Sequence, residues 1–267
     1  MNKIFNEDNI KTLKRFKDDC LDLTLTSPPY DNLRDYKGFS FDINKLSSEL
    51  YRTTKPGGIV VWVVGDAVVA GSETGTSFRQ ALRFIEVGFR LHDTMIYQKN
   101  NFANPSKGRY HQIFEYMFVF SKGKPKTFNP IKDRKNIYAG HAGSWGKNTT
   151  RKKDGSLEGD KKSSKIISDY GMRYNIWKYQ TSATGQEDKV AYEHPAIFPI
   201  QLATDHILSW TNKGDLVYDP FMGSGTTAKA SLELNRQYIG SEISTEYVEL
   251  INKRLTNLLK SKEFFEL

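Results

Sequence analysis

Residues 26–30, "TSPPY", close an apolar run with a hydroxyl, two prolines and an aromatic ring. Neither Pro28 nor Pro29 donates a backbone N–H, and both have φ locked by the pyrrolidine ring. The pair makes a stiff, extended corner whose carbonyls point in fixed directions, with the Ser27 hydroxyl on one side and the Tyr30 ring on the other. Such a corner is either a rigid strand exit or a small polar clamp beside a stacking platform.

A second constellation spans residues 215–244, "DLVYDPFMGSGTTAKASLELNRQYIGSEIS". A strand ends at Asp219, the turn through Pro220, Phe221, Gly223, Ser224 and Gly225 follows, and a helix starts at Thr226 and Thr227. The next strand ends in Glu242. This is the layout of a nucleoside cofactor site at the carboxyl edge of a parallel sheet. The glycines permit close backbone approach, and an acid after the following strand suits a pair of ribose hydroxyls. A phosphate-binding P-loop does not fit, because the turn is short and lacks the lysine. The dinucleotide fingerprint is also broken, since Thr226, Thr227 and Ala228 follow Gly225. Asp219 repels a pyrophosphate but favours a cation. A ligand with a ribose, an ammonium and a sulfonium satisfies all of these constraints.

The elements that must position these groups alternate along the chain. "LDLTLT" (21–26) and "GGIVVWVVGDA" (57–67) read as near-continuous apolar strands of a parallel sheet covered on both faces. "FDINKLSSELYRTTKPGG" between them reads as a helix stopped by Lys55, Pro56 and Gly57. "TSFRQALRFIEVGF" reads as a helix capped by Thr76 or Ser77, with Phe78, Leu82 and Ile85 on its apolar face. "RLHDTMIYQKN" and "IFEYMFVFSKG" are strands. Order returns at the helix "HPAIFPIQLATDHILSWT", and a final helix follows Glu242. The alternation predicts an α/β, doubly wound fold. Its expected divisions are 1–123, a loop-rich insertion at 124–185, and 186–267.

The chain has 267 residues and formal charge +8, which suits a polyanionic partner. All of the excess lies in one place. Residues 122–189 hold 16 basic against 7 acidic side chains, leaving 23 basic and 24 acidic elsewhere. The same stretch interleaves Phe128, Tyr138, Trp145, Tyr170, Tyr174, Trp177 and Tyr179, whereas a solvating tail is poor in aromatics. A nucleic-acid surface is the expectation, with Arg151, Lys152 and Lys153 as its densest cluster. The single cysteine, Cys20, excludes an internal disulfide framework and a cysteine-based zinc site, and no metal is expected. With mean hydropathy −0.59 and no apolar run of membrane length, the expected place is the cytoplasm, without membrane contact.

"TSPPY" together with "DPFMGSGTT" resembles the DNA amino-methyltransferases that use S-adenosylmethionine. The order, with the cofactor motif near the C-terminus, is similar to their β-type permuted arrangement. The likeness extends to "HPAIFP", "FEYMFVFSKG" and "IGSEISTEYV", nearly the whole chain outside the basic insertion. It implies a mostly parallel seven-stranded sheet with helices on both faces, and a target-recognition region where the positive charge lies. It implies that Ser27 and the Pro28 carbonyl, in the Ser27–Pro28–Pro29–Tyr30 motif, accept from an exocyclic amine while Tyr30 stacks on a base flipped from the duplex. Asp219 then faces the methionine amino group, Pro220 to Thr227 wrap the cofactor, and Glu242 takes the ribose hydroxyls. Asp8 matches the acid near the adenine edge, with Glu7 beside it, and Phe198 and Pro199 line the methionine end.

Carbon-5 methylation needs a thiolate, usually in a Pro-Cys context, and Cys20 has no such setting. Between cytosine N4 and adenine N6, Ser27 favours cytosine, because the resemblance puts Ser first in the N4 motif and Asp or Asn first in most N6 motifs. The implied partner is double-stranded DNA, with a cognate restriction endonuclease and either a monomer or a homodimer left open. A non-catalytic nucleic-acid binder on the same fold, and an RNA or protein amine methyltransferase, are the readings of other kinds.

Overall fold

Leu21, Leu23 and Leu25 alternate with Asp22, Thr24 and Thr26, and all but Asp22 are buried, so the run forms a strand covered on both faces. The computed structural model describes residues 2–29, 41–102, 105, 107–141, 149–159, 166–180 and 199–265, and places this strand within an eight-stranded sheet. Along the chain come β1 (Lys3–Phe5), α1 (Asn9–Leu13), β2 (Leu21–Thr26), α2 (Ile43–Thr53) and β3 (Thr54–Val64). A small hairpin, β4 (Val68–Val69) and β5 (Ser72–Glu73), precedes α3 (Thr76–Glu86), β6 (Arg90–Lys99) and β7 (Phe114–Ser121). Short strands β8 (Arg134–Lys135), β9 (Thr149–Arg151), β10 (Leu157–Gly159) and β11 (Tyr170–Gly171) follow, then β12 (Ile176–Tyr179). The chain continues through α4 (Ile200–Trp210), β13 (Leu216–Asp219), α5 (Thr226–Glu233), β14 (Gln237–Ser241) and α6 (Thr245–Phe265).

The sheet order is β1-β14-β13-β2-β3-β7-β6-β12, parallel throughout except for β7, which opposes both neighbours. The doubly wound, mostly parallel sheet is therefore as expected, with eight strands in place of seven. The extra edge strand, β12, comes from the stretch assigned to the insertion. Its Trp177 and Tyr179 are buried, so these two aromatics serve the sheet rather than a charged surface. One face of the sheet carries a core of Leu46 and Leu50 from α2, Phe84 from α3, and Trp62, Phe120 and Tyr218 from the strands.

Helix α3 departs from expectation. Gly75, not Thr76 or Ser77, is its N-cap residue, and the Ser77 N–H donates instead to Asp66 Oδ1 at 2.9 Å. Its buried face is Ser77, Gln80, Ala81 and Phe84, while Phe78, Leu82 and Ile85 are exposed. Two anchors set this rotation. Trp62 Nε1 donates to Gln80 Oε1 at 2.8 Å, and the Phe84 ring stacks on Phe120 with centroids 4.7 Å apart. Left unpaired, the buried Trp62 N–H would carry a desolvation cost that this hydrogen bond removes.

Two compact units divide the chain: Met1–Asn129 with Asn175–Leu267, and Pro130–Tyr174. The smaller lies inside the expected 124–185 boundaries. It is built from the antiparallel pairs β9–β10 and β8–β11, an Arg173–Asp133 ion pair, and the Arg134 guanidinium 4.8 Å over the Tyr174 ring. No helix among the described residues is long and apolar enough to cross a membrane.

Candidate active site

Strands β1, β14, β13 and β2 are parallel neighbours, so their carboxyl ends lie side by side along one edge. The stretches singled out in the sequence leave from these four ends: Asp8 after β1, Glu242 after β14, the Asp219–Thr227 turn after β13, and Ser27–Pro29 after β2. Ligands of open α/β sheets bind in the crevice outside such ends. Tyr30 and Phe198 lie outside the described residues; Pro199 is the N-cap residue of α4.

Asp219 joins the two motifs. It is 5% exposed, and its Oδ1 accepts from Thr26 Oγ1 at 2.6 Å and from the Phe221 N–H at 3.0 Å. Burial pushes its carboxyl up to about 6, and the hydrogen bonds from Thr26, Phe221 and Thr227 only partly oppose the rise. A carboxylate this poorly solvated gains strongly from an arriving cation and has nothing to offer an anion. The residue just before Ser27 thus holds the acid of the Gly-rich turn.

Two glycines let that turn close. Gly223 and Gly225 adopt φ of 52° and 81°, and a Cβ on Gly225 would stand 2.9 Å from Ile251 Cγ2. Glu242 fixes the turn from one side: Oε2 accepts from the Gly223 N–H at 2.8 Å and Oε1 from the Ser244 N–H at 2.9 Å. Burial again raises its carboxyl above the ordinary range. Each carboxylate oxygen has a second lone-pair site, so Glu242 can hold the turn and accept two ligand hydroxyls together. Asp8 is exposed and caps α1, its Oδ1 accepting from the Ile10 and Lys11 N–H groups. Neighbouring Glu7 is committed to Arg15, Lys11 and Thr12 and is held down to about 2. Of the two adjacent acids, Asp8 caps α1 and Glu7 is held by cations.

The sequence reading missed Arg254. This α6 side chain is 5% exposed, and Nη1 donates to the Ser224 carbonyl at 2.8 Å and to Thr226 Oγ1 at 3.0 Å. It holds the end of the turn where α5 begins at Gly225 without a side-chain cap. Its only sequence signal is an arginine in the buried stripe Ile251, Arg254, Leu255, where spacing predicts an aliphatic residue. Arg254→Met is expected to weaken binding of the cofactor by about tenfold or more, since a hydrogen bond from a charged donor is worth roughly 1.5–3 kcal/mol. Calorimetry at a temperature well below both melting points measures this, and equal affinities would reduce Arg254 to a packing role.

Arg151, Lys152 and Lys153 belong to the smaller unit. All three are exposed at the β9–β10 hairpin, where Lys152 pairs with Glu158 at 3.1 Å.

A doubly wound sheet with an acid–glycine turn, a second acid one strand along and a proline-stiffened corner beside it has the layout of a nucleoside-cofactor site. The family model for N6/N4 methyltransferases, described as DNA methylase, matches residues 21–253, and the chain belongs to that family. It is 56% identical to the orphan methyltransferase M.BamHII of Bacillus amyloliquefaciens over 246 residues, which cover 90% of this chain and 91% of that one. The type II methyltransferase M.BglII of Bacillus subtilis is 27% identical over 94% of this chain and 68% of its own length. In fold, the chain is similar to the cytosine-N4-specific PvuII DNA methyltransferase, with TM-score 0.69, 21% identity, and coverage of 95% of this chain and 86% of that one. A modification methylase of Thermus thermophilus, solved in complex with S-adenosyl-L-methionine, gives TM-score 0.64 at 22% identity over 96% and 95% of the two chains.

Proposed function

We propose that this DNA methyltransferase moves the methyl group of S-adenosylmethionine to the N4 amine of a cytosine flipped out of a specific double-stranded site. The observation that supports the reading is the 2.6 Å hydrogen bond from Thr26 to Asp219, which ties the strand end leading into Ser27–Pro29 to the buried carboxylate of the Gly-rich turn. When bound, the cofactor supplies an electrophilic methyl on a sulfonium. Asp219 pairs with its ammonium, the turn from Pro220 to Thr227 lies against it, Glu242 accepts from the ribose hydroxyls, and Asp8 meets the adenine edge.

An aromatic amine delocalises its lone pair into the ring and is a poor nucleophile. Ser27 and the Pro28 carbonyl would accept from its two N–H bonds, draw the nitrogen toward tetrahedral geometry and return the lone pair. An N–C bond would then form as the sulfonium S–C bond breaks, the neutral thioether leaves and the surplus amine proton passes to solvent. Holding both reactants in contact supplies much of the acceleration. Tyr30 stacks on the extruded base and offsets part of the lost base stacking. Pro29 keeps the corner stiff. Residues 1–123 form the catalytic half and 186–267 the cofactor half. Within 124–185 the smaller unit Pro130–Tyr174 is the target-recognition region, with Arg151, Lys152 and Lys153 on phosphates, while β12 completes the sheet. The choice of cytosine rests on Ser27 at the head of the motif.

Transfer of labelled methyl groups tests the reading. Plasmid DNA is expected to take up label, and RNA and bulk protein to take up none; label entering only RNA or protein contradicts it. The titration of Asp219 gives a further check. Its value lies above the ordinary 3.8, so the price of burying it charged is absent below that pH and complete above about 6. Binding a cation needs the charged form. Affinity for S-adenosylmethionine is therefore expected to be constant above about pH 6.5 and to fall nearly tenfold per unit below pH 6. A flat profile from pH 5 to 7.5 contradicts the pairing.

A further inference from the structure

The same sheet edge carries a second feature, one strand pair beyond the clamp. Because β7 opposes β3 and β6 opposes β7, the connection from β6 to β7 leaves on the edge that bears Ser27 and Asp219. Residues 99–113, "KNNFANPSKGRYHQI", contain Lys99, Lys107, Arg109 and His111 and no acid. The nearby acids are engaged. Glu115 pairs with Lys99 at 2.6 Å, Glu73 lies 3.7 Å from Arg109, and Asp66 holds Ser77 and Thr74. Arg109 also donates to the Gly71 carbonyl, which fastens the connection to the β4–β5 hairpin. Phe102 stacks on His111 with centroids 4.2 Å apart, and the Tyr110 side chain projects at 99% exposure.

A fully exposed tyrosine beside the exposed Lys107 and the anchored Arg109 suits a polyanion. The distance suits it as well. From β2 across β3 and β7 to β6 is three strand spacings of about 4.8 Å, roughly 14 Å. With successive base pairs about 3.4 Å apart, that equals roughly four base pairs of duplex. A duplex lying along this edge with its extruded base at the Ser27 corner would pass over this loop.

We propose that the β6–β7 connection is a second DNA-contacting surface, on the larger unit itself, with Lys107 on a backbone phosphate and Tyr110 against the duplex flanking the flipped base. This inference rests on the DNA reading given above, and it places part of the affinity outside the target-recognition region. Lys107→Ala and Tyr110→Ala test it on the full-length protein, with Arg109 left in place because it anchors the hairpin. Binding to a methylatable duplex is followed by fluorescence anisotropy at several salt concentrations. Lys107→Ala is expected to shallow the slope of log affinity against log salt by about 0.9, one phosphate's worth. Tyr110→Ala is expected to lower affinity about two- to tenfold, the worth of one neutral hydrogen bond from its hydroxyl to the backbone, with the slope unchanged. Cofactor affinity and melting temperature should match the parent in both variants. Parental affinity and slope in both variants, from a protein that still methylates DNA, would overturn the inference and leave the function standing. A parent that neither binds nor methylates DNA would overturn the function itself.

Discussion

Asp219→Ala is expected to lower affinity for S-adenosylmethionine by roughly tenfold to 150-fold, the equivalent of one charge-assisted hydrogen bond of about 1.5–3 kcal/mol. The loss has two sources. The ammonium loses its counter-charge, and the Thr26 hydroxyl and Phe221 N–H lose their shared acceptor. Asp219→Asn separates them, because the amide oxygen still accepts from both donors but carries no charge. Asparagine should therefore keep the turn and lose most of the affinity. It should also melt higher than the parent without ligand above pH 6, where the parent bears a buried charge. Duplex affinity without cofactor should be unchanged in both variants. Calorimetry giving parental cofactor affinity for Asp219→Ala would contradict the assignment.

The second large effect belongs to the clamp. Tyr30→Ala is expected to slow single-turnover methylation by about five- to 150-fold, since stacking on one base is worth roughly 1–3 kcal/mol. Tyr30→Phe keeps the ring and should be close to parental. Ser27→Ala removes one acceptor from the amine while leaving Pro28 and Pro29 in place. A neutral hydrogen bond of about 0.5–1.5 kcal/mol corresponds to a fall of up to roughly tenfold. Because Ser27 acts on the amine alone, cofactor affinity should not move. A parental rate for Tyr30→Ala would leave "SPPY" as a rigid strand exit and nothing more.

Much of this site was legible because its residues are consecutive. A strand, an acid, a Gly-rich turn and a helix occupy residues 216–233, and each step has a local physical signature in the chain. The pairing of Thr26 with Asp219 was not legible, since it joins residues 193 apart through the adjacency of β2 and β13. Arg254 was hidden for a related reason: its partners, Ser224 and Thr226, are presented by tertiary packing of α6. The face of α3 was misread because periodicity weighs side chains by hydrophobicity. Here Gln80 is drawn inward by the Trp62 N–H and Phe78, Leu82 and Ile85 are turned out. The charge run at 122–189 marked the smaller unit but overran it, since Trp177 and Tyr179 look alike in sequence whether they face a duplex or a core.

If an exocyclic amine held at Ser27 and Pro28 receives the methyl group, the modified base in DNA carries that group on nitrogen. Digestion of DNA modified by the purified protein, followed by nucleoside mass spectrometry, tests it most directly. N4-methylcytosine is the expected product, and at limiting cofactor its yield should fall roughly in proportion to the lost affinity when Asp219→Ala replaces the parent. N6-methyladenine alone would contradict the choice of base, and 5-methylcytosine, or no modified nucleoside at all, would contradict the amine mechanism.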